Sequence, residues 1–309
     1  MKAGVVSSML KSEGFKVIDS SSEGYAFNVI ASTPGGTLAV KAAENIESSM
    51  IKRCAENLKK LGKSIDLTPL IICDEEVVDD SLVAYRGVPA VNFKTFKKIL
   101  KGEELPFIYF DKGGIYVKLH GNLIRTKREE KGMSLGELAY QIGVSRRMVY
   151  EYEVGRADAT LDVALKLIKV LGDEILERLS LESISVYFTL EVEQKSHEKN
   201  YLQDPTLRRL FDILGELGYI RYTLEMTPFQ VAAKNIVGNK RLIIRKTLEN
   251  GEGEYLTIEM AKVCNSYAIL IDEDKIRIAS DQILEAPKNV LEKKNKLENF
   301  LSENFTHEY

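Results

Sequence analysis

LHGNLIRTKREEKGMSLGELAYQIGVSRRMVYEYEVG, residues Leu119–Gly155, is the stretch on which the reading of the whole chain turns. Ser134 suits the N-cap of a helix, and Glu137 three residues on completes a capping box. Leu138, Ala139 and Ile142 then recur at helical spacing. Gly143 stops that helix where a positive φ is wanted. Ser145 caps the next helix, in which Val149 and Tyr152 face inward. Arg146, Arg147 and Tyr150 are left on the outward face.

Two arginines in the first turn of a second helix suit the edges of bases in the major groove. A guanidinium fork bonds guanine O6 and N7 together, which is worth about 1–3 kcal/mol of discrimination. On these residues the stretch resembles the Cro/phage-repressor, or XRE, class of helix-turn-helix domains. The resemblance covers helices over Leu119–Lys131, Ser134–Ile142, Ser145–Glu153 and Thr160–Leu171. It implies that Ser145–Glu153 is the recognition helix and that Ser145, Arg146, Arg147 and Tyr150 touch bases. It also pairs Arg128 with Glu153 as a structural ion pair. Leu135 departs from the pattern, standing where the class often has a polar phosphate contact. The phosphate grip is therefore expected from backbone N–H groups and Ser134.

The 309 residues allow two or three domains, and 44% apolar with 29% charged residues is ordinary for globular protein. No apolar run reaches membrane-spanning length, and MKAGVVSSMLKSEGF charges too early for a signal peptide. Cys54, Cys73 and Cys264 are odd in number and far apart. They suggest a reducing cytoplasm and no metal site. The chain carries net charge −3, yet residues 118–156 hold eight Lys/Arg against five Glu, a local +3. A basic module between acidic flanks concentrates attraction to phosphates in one place.

Residues 1–110 are expected to form one α/β domain. Helix, strand, two β-rich runs around Pro34-Gly35-Gly36, a helix over Ile46–Gly62, three short strands and a closing helix follow in order. The helix carries Met50, Cys54, Leu58 and Leu61 on one stripe. This order resembles the restriction-endonuclease-like fold of Holliday-junction resolvases and Mrr-type nucleases. That fold's chemistry takes an Asp on one strand and Glu-x-Lys on the next, the acids holding Mg²⁺. Here the Asp position carries Asn28, and Glu-x-Lys reads Ala39-Val40-Lys41. Lys41 remains and both carboxylates are gone, so the reading is a nuclease-like scaffold with no catalytic residue.

Glu103–Ile115 reads as a junction leading into a helix-turn-helix domain over residues 116–182. That domain is expected to close with a fifth helix over Asp173–Leu181. Residues 183–204 read as a strand, Ser183–Glu193, followed by a polar linker. Residues 205–309 read as a second α/β domain that repeats the first. MLKSEGFKV parallels ILGELGYIR, YAFNVIA parallels TPFQVAA, and TLAVKAAEN parallels RLIIRKTLEN. The offset between copies stays near 202–204 residues. At the nuclease positions this copy has Gln230, Ile243 and Arg245, again without a carboxylate pair. The expected architecture is multi-domain α/β plus all-α, with a central five-helix repressor-like domain between two similar restriction-endonuclease-like domains.

The layout also resembles a family of archaeal HTH-type regulatory proteins with a central repressor-like module between two α/β halves. That resemblance implies a sequence-specific transcriptional regulator. Its expected partners are double-stranded DNA, a second copy of the chain, and a small-molecule or protein effector, with no membrane and no cofactor. Two recognition helices in a homodimer would sit near one DNA turn apart, about 34 Å. His120, His197 and His307 are scattered and make no metal cluster. One alternative is a Mg²⁺-dependent nuclease in which Glu44 or Asp19 supplies the missing acid. Another is a partner-binding antitoxin or adaptor.

Overall fold

A computed structural model describes residues 3–20, 24–111, 113–191, 202–235, 240–246, 251–279, 283–292 and 294–304. The chain divides into two compact units. Residues 1–71, 86–88 and 188–309 form the first, and residues 72–85 and 89–187 form the second.

The first unit opens with α1 (Ala3–Ser12), β1 (Lys16–Asp19), β2 (Val29–Thr33), β3 (Gly36–Ala43), α2 (Ser49–Ile65) and β4 (Thr68–Cys73). β1, β2 and β3 form an antiparallel meander, with Ala31 opposite both Val17 and Leu38. β4 follows β3 in the sheet. Ser48 caps α2 by accepting from Ile51 N, and Asp66 closes it in the left-handed region at φ 54°. Cys54, Leu58 and Leu61 are buried as expected, but Met50 is exposed and Ile51 takes its place on the inner stripe. The helix face that ends at Leu61 runs back through residues three and four apart, to Leu58, Cys54 and Ile51.

The second unit contains β5 (Leu82–Tyr85), β6 (Val88–Val91), α3 (Phe93–Leu100), β7 (Ile108–Asp111) and β8 (Gly114–Val117). It continues with α4 (Gly121–Glu130), α5 (Leu135–Ile142), α6 (Arg146–Glu153), β9 (Ala159–Thr160) and α7 (Leu161–Leu171). Its strand order is β6-β5-β7-β8-β9. The expected junction at Glu103–Ile115 runs into two strands: Tyr109 faces Tyr116 across the pair, and Val117 faces Ala159. Gly113-Gly114 punctuates two strands rather than loosening a linker, and both glycines have positive φ.

Two further expectations are corrected here. The fifth helix over Asp173–Leu181 is only a 3₁₀ turn, Asp173–Ile175, after which Leu176 bridges to Leu119 and Arg178 to Pro106. The β-pairing partner wins because those backbone groups meet strand-like neighbours. The expected strand Ser183–Glu193 is a helix, α8 (Leu181–Glu191). Ser183 N donates to Ser180 Oγ at its start. Ile184, Tyr187 and Phe188 are buried at i, i+3 and i+4, so burial at helical spacing overrides a β-rich composition. The expected linker lies almost wholly outside the described residues.

The first unit resumes with α9 (Pro205–Glu216), β10 (Ile220–Thr223), β11 (Val231–Asn235), β12 (Lys240–Lys246) and α10 (Glu252–Val263). It ends with β13 (Tyr267–Ile271), β14 (Lys275–Ala279), β15 (Ile283–Pro287) and α11 (Lys294–Asn304). The six strands follow one another in sheet order, with β12 and β13 parallel. Register repeats the first half: Ala31 faces Leu38 in one copy, and Ala233 faces Leu242 in the other. A core of Leu210, Phe211, Leu214, Ile244, Ile269 and Ile278 lies under this sheet.

Within the unit the two halves pack reciprocally. α2 lies on β10, β11 and β12, while α10 lies on β1 and β2. Thr37 Oγ1 donates to Val263 O at 3.3 Å, and Glu225 N donates to Asn57 Oδ1 at 3.1 Å. Asp66 accepts from Lys234 Nζ at 2.8 Å and from Arg241 Nε at 2.9 Å. Among the described residues no helix is long and apolar enough to cross a membrane.

Candidate nucleic-acid interface

The capping box read from sequence is made. Glu137 N donates to Ser134 Oγ at 3.2 Å, and Ser134 N donates to Glu137 Oε2 at 2.7 Å. The hydrogen bond from the Ser134 backbone, and after it one from the Ser134 side chain, hold the Glu137 carboxyl below its ordinary range. They also engage the Ser134 N–H, so that donor is not open to a phosphate while the box is closed. Leu138, Ala139 and Ile142 are buried, and Gly143 ends α5 at φ 75°.

Ser145 Oγ accepts from Met148 N at 3.1 Å and starts α6. Val149, Tyr152 and Glu153 face the interior. Ser145, Arg146, Arg147 and Tyr150 are all exposed, with Arg147 at 88% of its side chain. The outward face therefore carries two guanidinium groups, a hydroxyl and a phenol. Glu151, which the sequence reading passed over, adds an acceptor one turn below Arg147: its Oε1 lies 3.7 Å from Arg147 Nε. The i, i+4 spacing was the available signal.

Three features fix the tilt of α6. Arg128 of α4 forks onto Glu153, Nε to Oε1 at 2.6 Å and Nη2 to Oε2 at 3.2 Å. Its Nη1 also donates to Met133 O at 2.7 Å. The Glu153 hydrogen bonds hold the Arg128 guanidinium above its ordinary range. Gly121, at the first turn of α4, is the second feature. A Cβ there would stand 2.5 Å from the carbonyl oxygens of both Tyr152 and Glu153. Only glycine lets the start of α4 reach the end of α6, and pattern reading of apolar residues could not find this. The third is the loop after α6. Asp158 accepts from Lys118 Nζ at 2.9 Å and from Tyr109 OH at 2.7 Å, tying it to the β7–β8 hairpin.

The core beneath is shared by all these elements: Ile124, Leu138, Ile142, Val149, Leu167 and Ile175. His120 precedes α4 and makes no side-chain cap bond. His197 and His307 lie outside the described residues.

The nuclease-like positions are occupied by structural bonds. Asn28 Oδ1 accepts from Ala42 N at 3.0 Å, and its counterpart Gln230 Oε1 accepts from Lys246 N at 3.0 Å. Buried Lys41 donates to Tyr25 O at 2.8 Å, and its counterpart Arg245 donates to Pro228 O. Ala39 and Ile243 are buried on β3 and β12. Both copies thus use the amide to hold a strand neighbour and the cation to hold a backbone carbonyl. Asp19, considered above as a migrated acid, pairs with Lys11 at 2.6 Å. Among the described residues no cluster of His, Cys, Asp and Glu is arranged to hold a metal.

Comparison with known proteins finds both domain types. Residues 3–106 match the PD-(D/E)XK superfamily domain, and residues 124–175 match a helix-turn-helix family. A protein of Methanocaldococcus jannaschii described as "Putative HTH-type transcriptional regulatory protein" is 30% identical over 259 residues, covering 81% of this chain and 79% of that one. One with the same description from Thermococcus kodakarensis is 28% identical over 297 residues, covering 93% and 89%. Another from Sulfolobus acidocaldarius is 35% identical over 188 residues, covering 60% and 59%.

Proposed function

Because the chain belongs to this archaeal family of HTH-type transcriptional regulatory proteins, we propose that it regulates by reading duplex DNA with α6 in the major groove. One observation carries the reading. The outward face of α6 is a continuous exposed surface of Ser145, Arg146, Arg147 and Tyr150, while its other face is locked by Val149, Tyr152 and the Arg128–Glu153 fork. The arginines donate to guanine O6 and N7, and Ser145 and Tyr150 supply hydroxyls beside them. Glu151, an ion-pair neighbour 3.7 Å from Arg147 Nε, steadies that guanidinium from one turn below. Ser134 fixes the start of α5, and its hydroxyl, with the backbone N–H groups of the first turn, supplies the phosphate grip at that end.

The nuclease-like halves act as scaffold in this proposal. Asn28 and Gln230 cannot replace a carboxylate pair on Mg²⁺, and Lys41 and Arg245 are spent on backbone carbonyls. Selection from random duplex DNA tests the whole reading. An enriched motif containing guanine, lost in the Arg146→Ala, Arg147→Ala double variant, supports it. Equal retention of all sequences by the wild-type chain overturns it.

A further inference from the structure

We propose that the two nuclease-like halves are each other's dimer partner, so that the chain acts as a single copy and reads one non-palindromic DNA site. The first part rests on reciprocity. A twofold interface requires that residue i meet j and that j meet i. Here that rule is followed element by element between two halves of one chain. The end of α2 meets the start of β12, where Asp66 holds Arg241. The end of α10 meets the start of β3, where Val263 O accepts from Thr37. Thr37 and Arg241 are equivalent positions in the two copies, each second in its strand. The helices follow suit: besides strands of its own half, α2 packs on β10, β11 and β12 of the second copy, and α10 packs on β1 and β2 of the first.

An isologous contact is closed, so once made within the chain it leaves no matching face for another copy. Covalent linkage strengthens the case, since the partner is always at high effective concentration. The expected homodimer through the α/β halves is thereby replaced by a pairing already made in cis. One such pair carries one α6. A single reader has no twofold axis, so its preferred sequence has none either. This second part rests on the DNA reading proposed above.

Light scattering on the full chain at micromolar concentration, and thermal melts, test the pairing directly. A mass near 34.8 kDa is expected. Arg241→Glu, which faces Asp66 with a like charge, should lower the melting temperature by about 2–4 °C. Adding Asp66→Asn, which keeps a residue tolerant of positive φ, should recover part of that loss. The mass should stay that of one chain throughout. A wild-type mass of two chains that falls to one in Arg241→Glu would place the contact between copies and overturn the proposal. Independent effects of the two substitutions would overturn it too. Binding-site selection should return a motif without a palindrome, and a palindrome overturns the single-reader part. No enrichment of any sequence would sink the DNA reading alone, because mass and coupling judge the pairing without DNA.

Discussion

Arg128 on α4 and Glu153 on α6 form a two-pronged ion pair at 2.6 and 3.2 Å, with both residues more than nine-tenths buried. Each charge is tolerable only because the other is there. Arg128→Ala would leave the Glu153 carboxylate buried and unpaired, a loss of about 3–5 kcal/mol. Replacing both, as Arg128→Met with Glu153→Leu, should recover most of it, because two apolar side chains need no partner. Urea denaturation measures both. A single-variant loss below about 1 kcal/mol would show that the pair contributes nothing.

Gly121→Ala sets a Cβ against two backbone carbonyls that cannot swing aside. Overpacking of this kind costs about 1–3 kcal/mol. Because the strain falls between α4 and α6, DNA affinity should fall along with stability. A variant as stable as wild type would mean that the two helices part freely.

Arg146→Ala and Arg147→Ala should each cost about 1–3 kcal/mol on the preferred sequence and much less on random DNA. Stability should hardly change, since both side chains are exposed. Fluorescence anisotropy on paired duplexes reads the difference. Loss of equal size on every duplex would make the arginines phosphate contacts, not readers.

Asp66 gives the fold a sign in pH. Burial pushes its carboxyl upward, but hydrogen bonds and charge from Lys234, then Arg241, outweigh this and hold it below the ordinary value of 3.8. A depressed folded value means stability that is fully present above the unfolded value and lost as pH falls through the folded one. The side chain is nearly half exposed, so Asp66→Asn should cost about 1 kcal/mol or less at pH 7. Wild type and variant should converge below pH 4. Denaturation curves that stay equally separated down to pH 3 would refute the assignment.

Lys41→Ala and Asn28→Ala test the scaffold reading. Asn28→Ala removes the acceptor for Ala42 N, at a cost of about 1–3 kcal/mol. Plasmid and branched DNA should stay intact with Mg²⁺ or Mn²⁺, for wild type and variants alike. Cleavage by the wild-type chain that disappears in Lys41→Ala would install the nuclease reading instead.

The helix-turn-helix was legible because its signals are local. Ser134 with Glu137, Gly143, and Ser145 with Met148 each act within four residues, and the inward stripe repeats every turn. The parallel between the two halves was readable as a constant offset of 202–204 residues, and the pairings Ala31–Leu38 and Ala233–Leu242 follow it. The residues at the positions aligned with the nuclease acids, Asn28, Ala39, Gln230 and Ile243, are likewise visible as letters.

What tertiary structure decided lies between residues far apart in the chain. Nothing near Asp66 announces Lys234 and Arg241, and nothing near Gly121 announces the carbonyls of Tyr152 and Glu153. The β7–β8 hairpin read as a junction until β9 supplied its partner. α8 read as a strand until burial chose the helical face of Ile184, Tyr187 and Phe188. Local hydrogen bonds and turn preferences are written into neighbouring residues. Pairing of surfaces is chosen only when the folded chain sets those surfaces side by side, so it is written nowhere in any single stretch.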